Sequence, residues 1–288
     1  MRRWHSSSVR ALTTRTFTTR AGAGNDLARE NYSFTVGDLA ASEHNRARLQ
    51  TEIAVPIQWL NQVHGIKVLE LKHGVSTNRP DADAALTQLP GTALAILTAD
   101  CMPIVIADRG GTAVAVAHAG WRGLLSGVIE ATLEVFLARG LLGENLQAFI
   151  APCIGPTAFE VGPEVREAFA DVTPLAERDE VARCFVPSIS LGSSGAFGSP
   201  VIAGRGDRFL ADLAALALTR FARFNVLDVQ SSRACTFSDP AHFYSHRYWY
   251  QHQNLATGQG RQATVVWIAP PPLVDGGAAF ELGYQKYS

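Results

Sequence analysis

A chain of 288 residues, 47% of them hydrophobic, can bury a core large enough to fold without disulfides or a partner, and its length allows one or two domains. Its 25 basic and 26 acidic side chains nearly cancel, which removes the electrostatic case for nucleic acid or an anionic membrane and leaves a small molecule as the default partner. No apolar run approaches the roughly 18 residues needed to span a bilayer, and four widely spaced cysteines without a CxxC pair fit a reducing compartment, so the cytoplasm is the expected location.

Residues 1–12 are expected to be a disordered lead-in and residues 13–288 a single domain. The first 25 residues carry Arg2, Arg3, Arg10, Arg15 and Arg20 and no acid, the composition of a mitochondrial transit peptide, but without the apolar stretch of a secretory signal. Residues 13–19 read equally well as a first β-strand. Residues 38–53 fit a solvent-facing helix that ends before Pro56. Residues 57–71 become two extended pieces joined near Gly65.

Residues 93–97, 102–107 and 112–117 are rich in Val, Ile and Ala and too short for helices, which predicts buried strands, with a turn at Gly110-Gly111. Leu124, Leu125, Val128, Ile129, Leu133 and Phe136 recur at helical spacing, start near residues 121–123 and stop at Gly140. Pro163-Glu164 opens a further helix. Residues 188–207, rich in Gly and Ser, read as a surface loop and not a P-loop, because no Gly-Lys-Ser/Thr follows. A second amphipathic helix is expected over 208–224, with Leu210, Leu213, Ala217, Phe221 and Phe224 inward, and residues 262–269 close the chain as a strand. Strands and helices mix without regular βαβ alternation, so the fold class is α+β, with mixed sheets and flanking helices.

Three passages place metal-ligating residue types where a predicted strand gives way to a turn: Gln62-Val63-His64-Gly65, Thr98-Ala99-Asp100-Cys101, and Ala117-His118-Ala119-Gly120-Trp121-Arg122-Gly123. Two imidazoles and a thiolate suit zinc, and three protein ligands leave a fourth tetrahedral position for water or substrate. Yet single His and Cys residues at strand ends are ordinarily packing residues, and separations of 37 and 17 residues match no local zinc motif. Spacing alone leaves both readings open.

The strings TADC, AHAGWRG, APCIGPTAFEVG and GRQATVVWI, in a match running from about residue 17 to residue 268, resemble those of the YfiH-like or polyphenol oxidase (laccase domain) family of zinc-dependent purine nucleoside phosphorylases. The resemblance implies a single α+β catalytic domain that binds one Zn2+ per chain through His64, Cys101 and His118; copper can substitute, because copper(II) outcompetes zinc at nitrogen and sulfur ligands. It also implies phosphorolysis of adenosine, inosine and S-methyl-5′-thioadenosine to base and ribose 1-phosphate, with adenosine deaminase as a side activity. Small-molecule purine nucleoside and phosphate are then the partners.

Phosphorolysis needs a phosphate site, for which arginines are the natural residues. Arg122 falls at the expected start of a helix, where free backbone N–H groups and the helix dipole favour an anion, though a surface arginine is equally consistent. Arg20, in TTRAGAG, and Arg247, in FYSHRY, are further candidates. Asp100 can orient a ligand, act as a base, or simply cap the following turn. Phe159 can stack on a purine but fits the core better, and Cys153 and Cys235 read as core residues. A histidine among His242, Ser245 and His246 can protonate the departing base, although solvated loop histidines are commoner.

This chain departs from the family at TRAGAGN, where relatives read TRxGGVS, and at FYSHRY, where relatives read FFSYRR. Substrate preference is therefore free to differ. Two other chemistries fit the residues less well. A multicopper oxidase needs about ten histidines, many in His-x-His pairs; the chain has 8 and no such pair. A deaminase carries His-x-Glu with Pro-Cys-x-x-Cys; here Pro152-Cys153 is followed by Ile154-Gly155-Pro156. A non-catalytic protein with a structural metal is the third alternative.

Overall fold

The alternation of side chains along the strands decides the layering. The computed structural model describes residues 2–5, 9–13, 31–188, 208–252 and 259–269. Along the chain these form β1 (Arg2–His5), β2 (Val9–Thr13), α1 (Leu39–Ile53), β3 (Ile57–Trp59), β4 (Val68–Leu71), β5 (Ala84–Thr87), β6 (Ala93–Thr98), β7 (Met102–Asp108) and β8 (Val114–Ala119). There follow α2 (Trp121–Ser126), α3 (Val128–Leu137), β9 (Leu146–Ile150), β10 (Glu160–Val161), α4 (Pro163–Val172), α5 (Arg178–Arg183) and β11 (Phe185–Pro187). The remainder is β12 (Phe209–Ala211), α6 (Leu213–Arg223), β13 (Asp228–Ser231), α7 (His246–Gln251) and β14 (Gln262–Ile268).

Two mixed sheets dominate, one ordered β1-β2-β14-β6-β3 and the other β13-β9-β7-β8-β5-β4, with a small β10-β12-β11 sheet beside them. Successive side chains of a strand point to opposite faces. In β6, Leu94 and Ile96 pack against Val105, Val114 and Val116 of the second sheet, whereas Ala93 and Ala95 face Leu49 and Ile53 of α1. In β7 the alternation is the same: Val105 faces the first sheet, while Ile104 and Ile106 pack on α3 and α6 through Ile129, Leu133, Phe136 and Phe221. The order of layers is therefore helix, sheet, sheet, helices. Both faces of β7 are covered, which is why every one of its residues is buried and its sequence is apolar from Met102 to Ala107. Each fully buried Leu or Ile in these layers contributes about 1.5–3 kcal/mol.

The fold is α+β, as the pattern of elements implied. Three expectations about elements change. The single helix expected to end at Gly140 is two, because Gly127 takes a left-handed φ of +97° and breaks it between α2 and α3. The helix expected from residue 208 starts at Leu213, where Asp212 accepts the Ala215 N–H at 2.9 Å as N-cap; residues 209–211 are instead β12, paired with β10 and β11. The helix at residues 38–53 is α1, capped by Asp38 and closed by Ala54 at φ +54°; as expected it faces solvent, with Ser42, Asn45, Leu49 and Ile53 as its buried residues. Of the segment set apart at 1–12, residues 2–5 and 9–12 lie in β1 and β2, and β2 pairs with β14. Residues 14–19 of the expected first strand and 189–207 of the expected loop lie outside the described residues.

Candidate metal centre

His118 lies near the end of β8, 3% exposed, with Pro103 of β7 as its register partner. Cys101 immediately precedes β7, so the register brings it opposite Gly120, just beyond β8. The turn from β6 into β7 reverses sharply through Asp100, whose φ is +90°. His64 comes from elsewhere, on the loop between β3 and β4, also with a left-handed φ of +60°. One ligand atom from each of His64, Cys101 and His118 lies within 4.8 Å of the others, and the two imidazole centroids are 4.8 Å apart. The three residues read from the sequence are brought together.

Gly120 explains one glycine of the AHAGWRG string. A Cβ there would stand 2.8 Å from Cys101 Sγ and 3.2 Å from His64 Nδ1. Its φ of −64° suits any residue, so the requirement is space between the ligands rather than backbone freedom. At Gly123 a Cβ would press on the carbonyl oxygens of His118 and Gly65, at 3.3 and 3.4 Å.

The residue that joins these pieces was not singled out from the sequence. Asp83, just before β5, has a fully buried side chain. Its Oδ1 lies 2.8 Å from His118 Nδ1 and accepts the His64 N–H at 2.9 Å; its Oδ2 accepts the N–H groups of Gly65 at 2.7 Å and Val63 at 3.1 Å. A carboxylate only accepts, so a proton of His118 sits on Nδ1 and Nε2 is the nitrogen left to a metal, whose binding releases any proton there. The available signal was an acid in the apolar run Ala82-Asp83-Ala84-Ala85-Leu86, where a buried charge needs a partner. Gln62 completes the anchoring. Its amide exchanges two 2.8 Å hydrogen bonds with the backbone of Leu97 in β6.

The charges follow the contacts. Burial pulls the His118 imidazole down, but Cys101 and Asp83 outweigh it and raise the pKa to about 9. Burial pushes the Asp83 carboxyl up, and its bonds from His118, Gly65 and Val63 reverse this, leaving it below the ordinary carboxylate value. For His64, burial and then the adjacent His118 lower the pKa, which favours the neutral, ligating form. Two imidazoles and a sulfur, one imidazole backed by a carboxylate, fit a zinc ion with an open fourth position.

The triad lines a cleft of about 580 Å³, within the usual range for small-molecule sites, shared with Arg122, Arg247, Arg261, Arg79, Phe159 and His246 among others. Arg122 is exposed and lies over the Trp121 ring, 4.3 Å from its centroid. The helix it begins has only six residues, so the dipole argument made for it from the sequence loses its basis. Arg247 donates Nη2 to the Glu160 carbonyl at 3.0 Å and stands 5.8 Å from the centroid of the buried Phe159. Arg20 lies outside the described residues. Asp100 turns from the triad: Oδ1 accepts from Thr236 Oγ1 at 2.6 Å and Oδ2 from the Arg247 N–H at 2.7 Å, so it tethers the start of α7. Ser245 caps that helix, and His242 is exposed beside Asp239. Cys153 is buried as expected, while Cys235 is only partly so.

Residues 14–269 match the model of the family described as multi-copper polyphenol oxidoreductase laccase. The chain belongs to this family. Among its relatives is the purine nucleoside phosphorylase PA4543 of Pseudomonas aeruginosa, 41% identical over 231 residues, covering 80% of this chain and 82% of that protein. The purine nucleoside phosphorylase YfiH of Escherichia coli is 39% identical over 228 residues, 78% of this chain and 80% of that one. The crystal structure of Neisseria meningitidis NMB0706 superposes with a TM-score of 0.72 at 32% identity, over 92% of this chain and 96% of that one. That of Bacillus licheniformis YfiH gives 0.74 at 19% identity, covering 90% and 92%, and so speaks for the fold alone. Despite the description of the laccase family, the His64, Cys101 and His118 group is the one such cluster among the described residues, far short of a mononuclear and a trinuclear copper site. None of the described helices is long and apolar enough to cross a membrane.

Proposed function

We propose that the chain is a zinc-dependent purine nucleoside phosphorylase that converts adenosine, inosine and S-methyl-5′-thioadenosine, with phosphate, to free base and ribose 1-phosphate, and deaminates adenosine as a side activity. Its place of work is the cytoplasm. The observation that carries this reading is the position of His64, Cys101 and His118 in one cleft with several arginines. The names of the relatives at 41% and 39% identity support the same reaction class.

In this reaction a phosphate oxygen forms a bond to C1′, the glycosidic bond breaks, and its electron pair leaves with the purine, which takes up a proton. Arginines bind the phosphate and offset its charge. Asp83 holds His118 in the tautomer that ligates and fixes the His64 loop, so the site is arranged before substrate arrives. Arg247 and the Phe159 ring offer a cationic and aromatic wall to the nucleoside. A zinc ion on the three ligands supplies Lewis-acid charge beside the reacting groups, and for deamination a water of lowered pKa.

The test is chromatography of the products formed from adenosine by zinc-loaded protein, with and without phosphate. Adenine and ribose 1-phosphate that appear only with phosphate are expected. Base release indifferent to phosphate overturns phosphorolysis, and inosine as the main product makes deamination the principal activity. Copper favours nitrogen and sulfur ligands over zinc at such a site, so a weak oxidase activity in copper-loaded protein leaves the assignment unchanged.

A further inference from the structure

The arginines of the cleft are not equivalent. Arg79 lies 3.9 Å from the centroid of the Phe34 ring, Arg122 lies over Trp121 and Arg247 over Phe159. Arg261, from the GRQATVVWI string, stands on no aromatic ring among the described residues. Its guanidinium makes one hydrogen bond there, from Nη1 to the neighbouring Gly260 carbonyl at 2.8 Å, and no ion pair. The remaining N–H groups are those of a side chain lining the same cleft as the triad.

Its placement is rigid. Gln262 pairs with Thr98 across β14 and β6, which brings Arg261 up beside the turn that carries Cys101. The Arg261 N–H donates to Asn31 Oδ1 at 2.8 Å and its carbonyl accepts the Tyr32 N–H at 3.0 Å. A Cβ on the preceding Gly260 would meet the Tyr244 ring at 2.3 Å, so the approach depends on glycine there. Asp100, the carboxylate whose charge acts on Arg261, already spends both oxygens on Thr236 and the Arg247 backbone. Burial pulls the Arg261 pKa down, with Cys101 and Asp100 acting in the opposite direction. A partly buried guanidinium with donors to spare and no carboxylate partner among the described residues is matched by a planar fork of anionic oxygens.

We infer that Arg261, rather than Arg122, holds the phosphate in this cleft, beside His64, Cys101 and His118. The inference rests on the phosphorylase reading. Phosphate on Arg261 lies next to the ligands, where its attacking oxygen and the nucleoside share one cavity.

The test compares zinc-loaded wild type, Arg261→Gln, Arg261→Lys and Arg122→Gln. Inorganic phosphate binding is measured by calorimetry, KM for phosphate and for adenosine by steady-state kinetics, and zinc by elemental analysis. Arg261→Gln is expected to weaken phosphate binding and raise its KM by roughly ten- to a hundredfold, the loss of charge-assisted hydrogen bonds. The adenosine KM is expected to stay within about twofold and zinc content to hold, with a smaller effect in Arg122→Gln. If Arg261→Gln loses zinc or stability, Arg261→Lys decides: it keeps the charge without the fork, so a phosphate KM several-fold higher supports the inference and an unchanged one overturns it. Phosphate-dependent activity with unaltered phosphate affinity in Arg261→Gln refutes the role of Arg261 alone. Wild-type activity that ignores phosphate refutes the phosphorylase reading, and this inference with it.

Discussion

The two histidines of the triad sit in opposite kinds of structure. His118 is a β8 residue, 3% exposed, in a strand hydrogen-bonded on both sides by β7 and β5. His64 stands on an exposed loop, at a left-handed φ, between Val63 and Ile66, which are 52% and 43% exposed. The strand needs no help to hold its histidine. The loop does, and receives it from Asp83, which binds three consecutive loop amides with the same carboxylate that orients His118. A buried carboxylate is expensive unless fully hydrogen-bonded. Here the bonds that satisfy it are those that assemble the site, so one residue couples a rigid half to a half that would otherwise be free.

The change expected to do most is Cys101→Ala, which removes the ligand shared by both halves. Zinc content should fall to about a tenth of the wild-type level or less and activity to background, with the circular dichroism spectrum retained. Zinc and activity surviving together would place the metal elsewhere. Asp83→Ala comes next. It removes the acceptor of three part-buried loop N–H groups that water can partly reach, and the partner of the buried His118 imidazole, so the apo protein should lose about 1–3 kcal/mol in denaturant unfolding. Asp83→Asn keeps the shape and should chiefly weaken zinc by about ten- to a hundredfold in chelator competition. Hydrogen exchange sharpens the comparison: residues 63–65 should lose protection in both variants while β8 keeps its own. Equal loss in both places would mean that Asp83 supports the sheet and not the loop.

The sequence made the sheets legible because both faces of β6, β7 and β8 are covered, leaving short runs of Ala, Val and Ile with no room for another assignment. It misled where a single residue interrupts a pattern. Gly127 breaks a helix whose apolar spacing continues across it, and Asp212 starts a helix where Leu210 extends the same periodicity backwards into a strand. The three candidate ligands were legible only through the strings around them, because their spacing is set by how a loop, a turn and a strand meet. Asp83 was hidden for a related reason. Its place in an apolar run says only that it needs a partner, and nothing local identifies residues 63–65 and 118, 18 to 35 positions away, as the groups it accepts from.

A smaller effect is expected of Gly120→Ala, which crowds the point where the two halves meet. The backbone accepts alanine at φ −64°, so the penalty arises only from the added Cβ against Cys101 Sγ and His64 Nδ1. Overpacking of this kind costs about 1–3 kcal/mol. If the loop yields as the comparison implies, His64 moves and the sheet does not. Zinc affinity then falls about tenfold while the unfolding midpoint of the apo protein barely shifts. A variant that loses stability in the apo state but binds zinc normally would show that the loop is the stiffer half.

The smallest effect marks the boundary of the coupling. Arg109, just past β7, pairs with Asp228 of β13 at 2.7 Å, with the two side chains 51% and 33% exposed. Water and salt screen such a pair, so Arg109→Ala should cost less than about 1 kcal/mol, and less still at high salt. This end of β7 is the one away from Cys101, and between them lie residues buried on both faces. If the sheet is the rigid half, a disturbance here stays local and zinc affinity, measured by the same chelator competition, does not change. A loss of zinc affinity comparable to that in Asp83→Asn would mean that the sheet transmits strain along β7, and His118 would then depend on distant supports as much as His64 does.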